Sequence, residues 1–595
     1  MPSQTKYSQL AIEPSENIAV FASAGTGKTQ LLVHRILKLL LNDVDPSHIL
    51  AITFTRKAAA EMRERLMNIL EHWAGLDDSK LKILLKQLAH TYDHESISKA
   101  KNLYEKLLFS DYDIRITTFH AFCQNVLKRF AIHAGVPAGF NVAENTEDLK
   151  LEARSRLYKK AHARSDPKLT RMLFELLKHC GTVFNVNSVL DSFIDTKTDW
   201  WSYTENQDNP VEFAVSRVRK NFFSNNELHK NKSIRENLIP ALNQYYSYLE
   251  LHAISKNIKY CGYIAAFVDN KENTKIEDSP EIVSIFLTKD NTLKVLKASK
   301  ALEKCLGSKK MENFIKLHEE LGSVIQHRLE FLKKEELVLF NQAWFYAGDQ
   351  ILKEYQQIKF KKHLLDFDDL EWHTYLLLRQ HQNAPWIQYK LDQQIKHFLI
   401  DEFQDTNPTQ WNLLYPLLEE LASSVQQKNK SLFFVGDTKQ SIYGFRRANP
   451  QLQITASEWA KKNLDAKLIK ADRSYRSSPV IIEFVNNIFN SSNAQPLIKG
   501  FIPHEAAQKN LWGHVQIDPL IVPEQKEEKP ENFRNPLLQP RMNISNDAYY
   551  SEGKAVAEKI KKLVSNFTAI SDKGQTRSIR YSDIIILARN RNHLA

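Results

Sequence analysis

Lys28 and Thr29, directly behind the small-residue turn Ala22-Ser23-Ala24-Gly25-Thr26-Gly27, are the residues of this chain best suited to hold a phosphate chain. Backbone N–H groups of such a turn and the positive end of a following helix attract an anion. The lysine amine then neutralises charge on β- and γ-phosphates, and the threonine hydroxyl suits Mg²⁺. The usual spelling GxxxxGK[ST] is met at Gly27, Lys28 and Thr29, with Ala22 in place of the first glycine; Ser23, Ala24 and Gly25 are still small enough for close approach. Far along the chain, FLIDEFQD brings Asp401 and Glu402 to the end of an apolar run. Asp401 suits Mg²⁺ through water, and Glu402 suits polarising the water that attacks a γ-phosphate. Acidic pairs after apolar runs are common on surfaces, but this one continues with Gln404, Asp405 and a helix start at TNPTQW. In GDTKQSIYGFRRANP, Gln440 reads as an amide that senses the γ-phosphate, and in LIKADRSYRSS, Arg476 reads as an arginine finger with Tyr475 stacking on adenine. Near the N-terminus, the Gln9 amide can read adenine as donor and acceptor together.

These residues need elements that hold them on one edge. Ile18–Phe21 predicts a buried strand and QLLVHRILKLLL an amphipathic helix behind the turn. Ile49–Phe54 predicts a second strand followed by the helix former TRKAAAEMRERL, and Ile114–Thr118 a third, running into FHAFCQNVLKRF. Phe398 onward and Leu432–Val435 predict two more. Strand, cradle, helix, strand opens a parallel α/β sheet, which places ligands at the carboxyl ends of its strands. Thr53, Phe54, Thr55 and Arg56 stand at such an end, and Phe54 reads either as core or as a platform for an unpaired base. His120, at the third strand–helix junction, is assigned to DNA contact rather than to catalysis. Tyr443 and Phe445 offer aromatic faces for stacking or for packing, beside the fixed charge of Arg446.

A length of 595 residues predicts several domains, and 81 Lys+Arg against 70 Asp+Glu, a formal charge of +11, favours a polyanionic partner. Cys123, Cys180, Cys261 and Cys305 lie far apart with no CxxC pair, which argues for a reducing compartment and against a structural zinc or disulfide framework. MPSQTKYSQLAIEP has no signal layout and no apolar run reaches about 18 residues, so a soluble, cytoplasmic protein without membrane contact is expected. Trp200-Trp201 and Tyr245-Tyr246 read as interface or core residues.

In this order the motifs resemble those of superfamily-one DNA helicases of the UvrD, Rep and RecB type. ASAGTGKT is similar to their nucleotide loop, ITFTRKAAAEM and TTFHAFC to their first DNA-contact motifs and IDEFQD to their Mg²⁺ motif. GDTKQSIYGFRRA resembles the motif that couples γ-phosphate to the strand, and RSYRS the arginine-finger motif. ASAGTGKT, EHWAGL, FHAFCQNVLKRFAIHAGVPAGF and DEFQDTNPTQW most resemble the AddA family of helicase-nuclease subunits from double-strand-break repair. The resemblance implies two RecA-like lobes flanking ATP, single-stranded DNA across their tops, 3′→5′ translocation and an AddB-like nuclease partner. By motif, Lys28, Thr29, Asp401, Glu402, Gln440 and Arg476 would serve ATP and Mg²⁺. Phe54, Thr55, His120, Tyr443 and Phe445 would lie along DNA, with Gln9 and Tyr475 near adenine.

The expected organisation is a RecA-like P-loop NTPase lobe in two parts, residues 1–140 and 361–470, split by a mostly helical insertion over 141–360. Residues 471–595 would start a second RecA-like lobe. Within it, 520–550 reads as a variable loop, Gly553–Val564 as a helix and Ser582–Arg589 as a strand. The sequence has no KGLE-like run, no later arginine motif and no nuclease-like carboxylate cluster, so it is expected to be the N-terminal part of a longer protein with an incomplete second lobe. The alternative expectation is a nucleic-acid-binding assembly subunit without a competent motor.

Overall fold

The computed structural model describes residues 6–588 apart from 89–91, 110–113, 164–165, 224–233, 253, 270–275, 297–299, 424–428, 492–500, 522–546, 567–568 and 573–574. The chain divides into two compact units, Met1–Arg476 and Ser477–Ala595.

The first unit is built on strands β1 (Ile18–Ala22), β2 (Ile49–Thr53), β3 (Arg115–Thr118), β4 (Asn141–Val142), β5 (Leu364–Leu365), β6 (His397–Ile400), β7 (Ser431–Gly436) and β8 (Lys467–Ala471). All but β4 and β5 form one six-stranded sheet in the order β3-β2-β6-β7-β1-β8, with every neighbouring pair parallel. Side chains of a strand alternate between faces, and both faces here are covered. Ile18, Val20, Ile49, Ala51, Phe433 and Val435 enter one core with Leu32, Ile36 and Met62. Ala19, Leu50, Ile52, Phe398, Ile400, Leu432 and Phe434 enter the other with Phe122, Leu370 and Leu414. This double burial explains why the strands read as unbroken apolar runs. Because all run parallel, their carboxyl ends share one edge, and the cradle turn, Phe54, Asp401 and Asp437 all follow directly from it.

Between β4 and β5 the chain is mostly helical. The two strands pair in parallel, Asn141 with Leu364 and Val142 with Leu365, in a ladder of their own that holds the two ends of the insertion side by side. Its spine is a 54-residue helix, Ser308–Lys361, roughly 80 Å long at 1.5 Å per residue. The first half packs a core with Phe314, Leu321 and Ile325, and the second half another with Ala343, Ala347 and Ile351. Trp200 and Tyr245 are buried in these two cores.

The second unit contains the helices Pro479–Phe489 and Asp547–Ser565 and an antiparallel ladder of Ala569–Asp572 with Gln575–Ser578. The loop expected over 520–550 lies almost wholly outside the described residues. Ser582–Arg589 corrects the sequence reading: a short helical turn occupies Tyr581–Asp583, and residues 584–588 are not a strand. Ile585 and Leu587 are exposed, and an apolar run without a neighbouring ladder has nothing to satisfy its backbone as a strand. No helix among the described residues is long and apolar enough to cross a membrane.

Candidate active site

The cradle owes its shape to glycine. Gly25 and Gly27 take φ of +75° and +85°, in the left-handed region that costs other residues a Cβ clash. Thr26 Oγ1 donates to Ser23 O at 2.8 Å, folding the turn on itself, and Tyr475 N donates to Gly25 O at 2.7 Å. The helix Lys28–Leu41 starts on Gly27 with no side-chain cap and no acidic residue in its first turn. Its first N–H groups and dipole are therefore left for an anion. By contrast, the helices starting at Arg56 and Phe119 are capped by the hydroxyls of Thr55 and Thr118.

Lys28 meets the acidic pair across the edge of the sheet. Its Nζ lies 2.7 Å from Glu402 Oε2, and Glu402 is held in the left-handed conformation, φ +50°. A relay continues from there. Gln404 Nε2 donates to Glu402 Oε2 at 2.7 Å, Gln404 Oε1 accepts from Asp437 N at 2.9 Å, and Gln440 Nε2 donates to Asp437 Oδ2 at 2.7 Å. Asp401 is pushed up to about 7, by burial first and by Glu402 second, with Lys28 opposing; Asp405 is pushed up to about 6 by the same two causes in the same order. Asp405 Oδ1 is buried without a hydrogen-bond partner among the described residues. A surplus of buried carboxylate at the end of β6 fits a divalent cation. Among the described residues no three His, Cys, Asp or Glu side chains form a metal cage, and Mg²⁺ held partly by phosphate oxygens needs none.

Gln9 and Tyr475 line a cavity of about 1160 Å³ beside the cradle, with Thr26, Gly27 and Gln30. The turn behind Gln9 is fixed by Arg35, fully buried, whose guanidinium donates to Glu13 O at 2.8 Å and Glu16 O at 2.6 Å. Burial lowers the Arg35 pKa to about 9 against the pull of Glu13 and Glu16. Arg476 is exposed, at the end of the first unit; a Cβ on Gly25 would come within 2.8 Å of the Arg476 Cβ. Ala22 and Ser23 are buried, and Ala24 is exposed at the tip of the turn.

Phe54, Tyr443 and Phe445 come together. Ring centroids are 4.3 Å apart for Phe54 and Tyr443 and 5.8 Å for Tyr443 and Phe445, and the Arg446 guanidinium lies within 6 Å of all three rings, at 5.9, 5.3 and 5.8 Å. Phe445 is 79% exposed, which a packing role would not leave it. His120 stands apart from this cluster. Its Nε2 is 3.0 Å from Glu371 Oε1, its ring 4.9 Å from Phe367, and a third of its side chain is exposed. Glu371 is buried; burial works to raise its pKa, but His120, Asn407 and Gln410 outweigh it and hold the carboxyl below its usual range.

Residues 3–460 match the family model of the UvrD/REP helicase N-terminal domain. The chain belongs to that helicase family. It is also similar to proteins whose names describe one subunit of an ATP-dependent helicase/nuclease. Against the Enterococcus faecalis protein the identity is 25%, over 97% of this chain and 46% of the relative. For Listeria welshimeri it is 27%, over 96% of this chain and 46% of the relative, and for Lactobacillus johnsonii 26%, over 99% and 48%. The chain thus spans about half the length of the curated relatives it matches.

Within this helicase family member, several residues with structural consequence carry no local sequence signal. Gln404 was visible as an unusual continuation of the acidic pair, yet its bridge to Asp437 depends on β6 and β7 being neighbours. Glu371 and Arg35 act on segments remote in sequence, and nothing beside them marks the partner.

Proposed function

We propose that this chain is the ATP-dependent motor part of a 3′→5′ DNA helicase of the AddA type, acting in recombinational repair of double-strand breaks in the cytoplasm beside an AddB-like nuclease subunit. The observation that carries the reading is the Lys28–Glu402 contact at 2.7 Å, which joins the phosphate cradle to the candidate water-activating carboxylate. In this reading the incoming γ-phosphate takes Lys28 from Glu402. The freed carboxylate then turns to the attacking water and accepts its proton, so the base becomes available only once substrate is bound. Gln404, shared between Glu402 and Asp437, carries that rearrangement to Gln440, which exchanges Asp437 for the γ-phosphate. Arg476 supplies charge to the transferring phosphoryl group, while Gln9 and Tyr475 hold adenine.

Thr29 and Asp401, with Asp405 nearby, would hold Mg²⁺, which supplies charge neutralisation at the β- and γ-phosphate oxygens. Phe54, Tyr443 and Phe445 stack on unpaired bases, Thr55 and His120 flank the same strand, and the formal charge of +11 favours both single- and double-stranded DNA. By domain, residues 1–140 and 361–470 form the nucleotide lobe, 141–360 the insertion, and 471–595 the start of the second lobe. In the full-length protein, Lys28→Ala is expected to lower DNA-stimulated ATP hydrolysis by about 100-fold or more with the fold intact. Unaltered turnover in that variant contradicts the reading.

A further inference from the structure

Arg447 has no role in the site described above, yet its side chain has three polar partners, two of them far from the turn that follows Gln440, in the helical insertion. Its backbone is left-handed, φ +66°, and closes the 444–446 turn by donating from N to Gly444 O at 2.9 Å. Its guanidinium leaves the sheet edge and reaches the helical insertion. Nη1 donates to Thr198 Oγ1 and to Thr409 Oγ1, the latter at 3.4 Å, and Nη2 lies 2.6 Å from Asp199 Oδ1. Nε is buried with no hydrogen-bond partner among the described residues. A left-handed non-glycine backbone and an unsatisfied buried donor each cost free energy, so this arrangement is held by the contacts around it.

Both ends of this contact lead somewhere. On the insertion side, Thr198 and Asp199 belong to the short helix Lys197–Tyr203. Lys197 is buried and pairs with Asp366 Oδ1 at 3.2 Å and Asp368 Oδ2 at 2.5 Å. Trp200 of the same helix packs on Phe193 at 5.1 Å and on Phe345 of the long spine helix at 5.4 Å. The helix is therefore clamped to the lobe through Lys197 and to the insertion core through Trp200, with Arg447 as the link to the sensor turn. On the sheet side, Arg447 follows Tyr443 and Gln440, and Gln440 ends the relay Asp437–Gln404–Glu402–Lys28.

We propose that Arg447 is a positioning residue that transmits occupancy of the phosphate site to the helical insertion. When Gln440 leaves Asp437 for a γ-phosphate, the turn carrying Arg447 shifts, and the guanidinium changes its hold on Thr198 and Asp199. The helix Lys197–Tyr203 and the spine packed on Trp200 move with it. This rests on the nucleotide reading of the site given above.

Hydrogen exchange of the backbone amides of residues 197–203, with and without the nonhydrolysable ATP analogue AMP-PNP and Mg²⁺, tests it on the full chain, with analogue affinity measured separately. In the wild type the analogue is expected to change exchange in this helix. Arg447→Ala is expected to shrink that change by about fivefold or more while analogue affinity stays within about threefold. Asp199→Asn, at an exposed carboxylate, is expected to shrink it by about half or more. A brace without a signalling role would raise exchange equally with and without analogue. A nucleotide-dependent change that survives Arg447→Ala and Asp199→Asn, or a wild type that binds analogue with no change in residues 197–203, overturns the proposal. A wild type that does not bind the analogue overturns the site reading, and this proposal with it.

Discussion

Asp401 concentrates the electrostatic tension of the site in one carboxyl group. Its pKa is pushed from the ordinary range up to about 7, by burial and then by Glu402. A group whose folded pKa is raised stabilises the fold fully below the ordinary carboxyl range, and that contribution is lost as pH rises through the folded value. Between about pH 4 and pH 8, without divalent cation, the wild type therefore loses up to about 4 kcal/mol at this position, at 1.36 kcal/mol per pKa unit. Asp401→Asn carries no such charge. Its thermal midpoint is expected to exceed that of the wild type by a few degrees at pH 8, and the gap should close toward pH 4. Mg²⁺ is expected to narrow the gap at pH 8 by stabilising the wild type alone. A gap independent of pH would contradict this account of Asp401.

The turns at the sheet edge do what the strands cannot. Gly25 has φ +75°, and a Cβ there would lie 2.6 Å from Ser474 Oγ and 2.8 Å from the Arg476 Cβ. Gly25→Ala is expected to destabilise the first unit by about 1–3 kcal/mol and to weaken nucleotide binding by about tenfold or more, read by thermal melting and analogue titration. The aromatic cluster is assembled by a different pair of segments, the end of β2 and the turn around Tyr443. Phe54→Ala removes the shared ring and is expected to cost roughly 1–3 kcal/mol of single-stranded DNA affinity, leaving analogue affinity unchanged. Equal loss of both affinities would instead make Phe54 a core residue.

At the scale of the molecule, what could be read from the sequence was what lies close together in it. Cradle, strand ends and helix starts are contiguous, so the α/β sheet and the residues Lys28, Thr29, Asp401 and Glu402 stood out from spacing and residue type. The meeting of Lys28 with Glu402 spans 374 positions, and it follows only from β1 and β6 lying in one sheet, separated there by β7. The same holds for Gln404 on Asp437, for Glu371 under His120 and for Arg447 on Asp199: each is a polar side chain whose partner lies after a neighbouring strand, on a neighbouring helix or in the insertion. Ser582–Arg589 shows the opposite failure. Its apolar run has the residue types of a strand, but a strand is defined by its neighbours, and Ile585 and Leu587 stay exposed.

The central claim is that Lys28 and Glu402 serve one triphosphate, the lysine as its binder and the carboxylate as the group that activates water. Glu402→Gln separates the two roles, because the amide cannot act as base and no longer competes as an anion for the lysine. Titration of this variant with ATP and Mg²⁺, with turnover followed in parallel, is expected to show binding at least as tight as in the wild type and hydrolysis slower by about 100-fold or more. Hydrolysis at the wild-type rate, or binding lost along with it, would contradict the account.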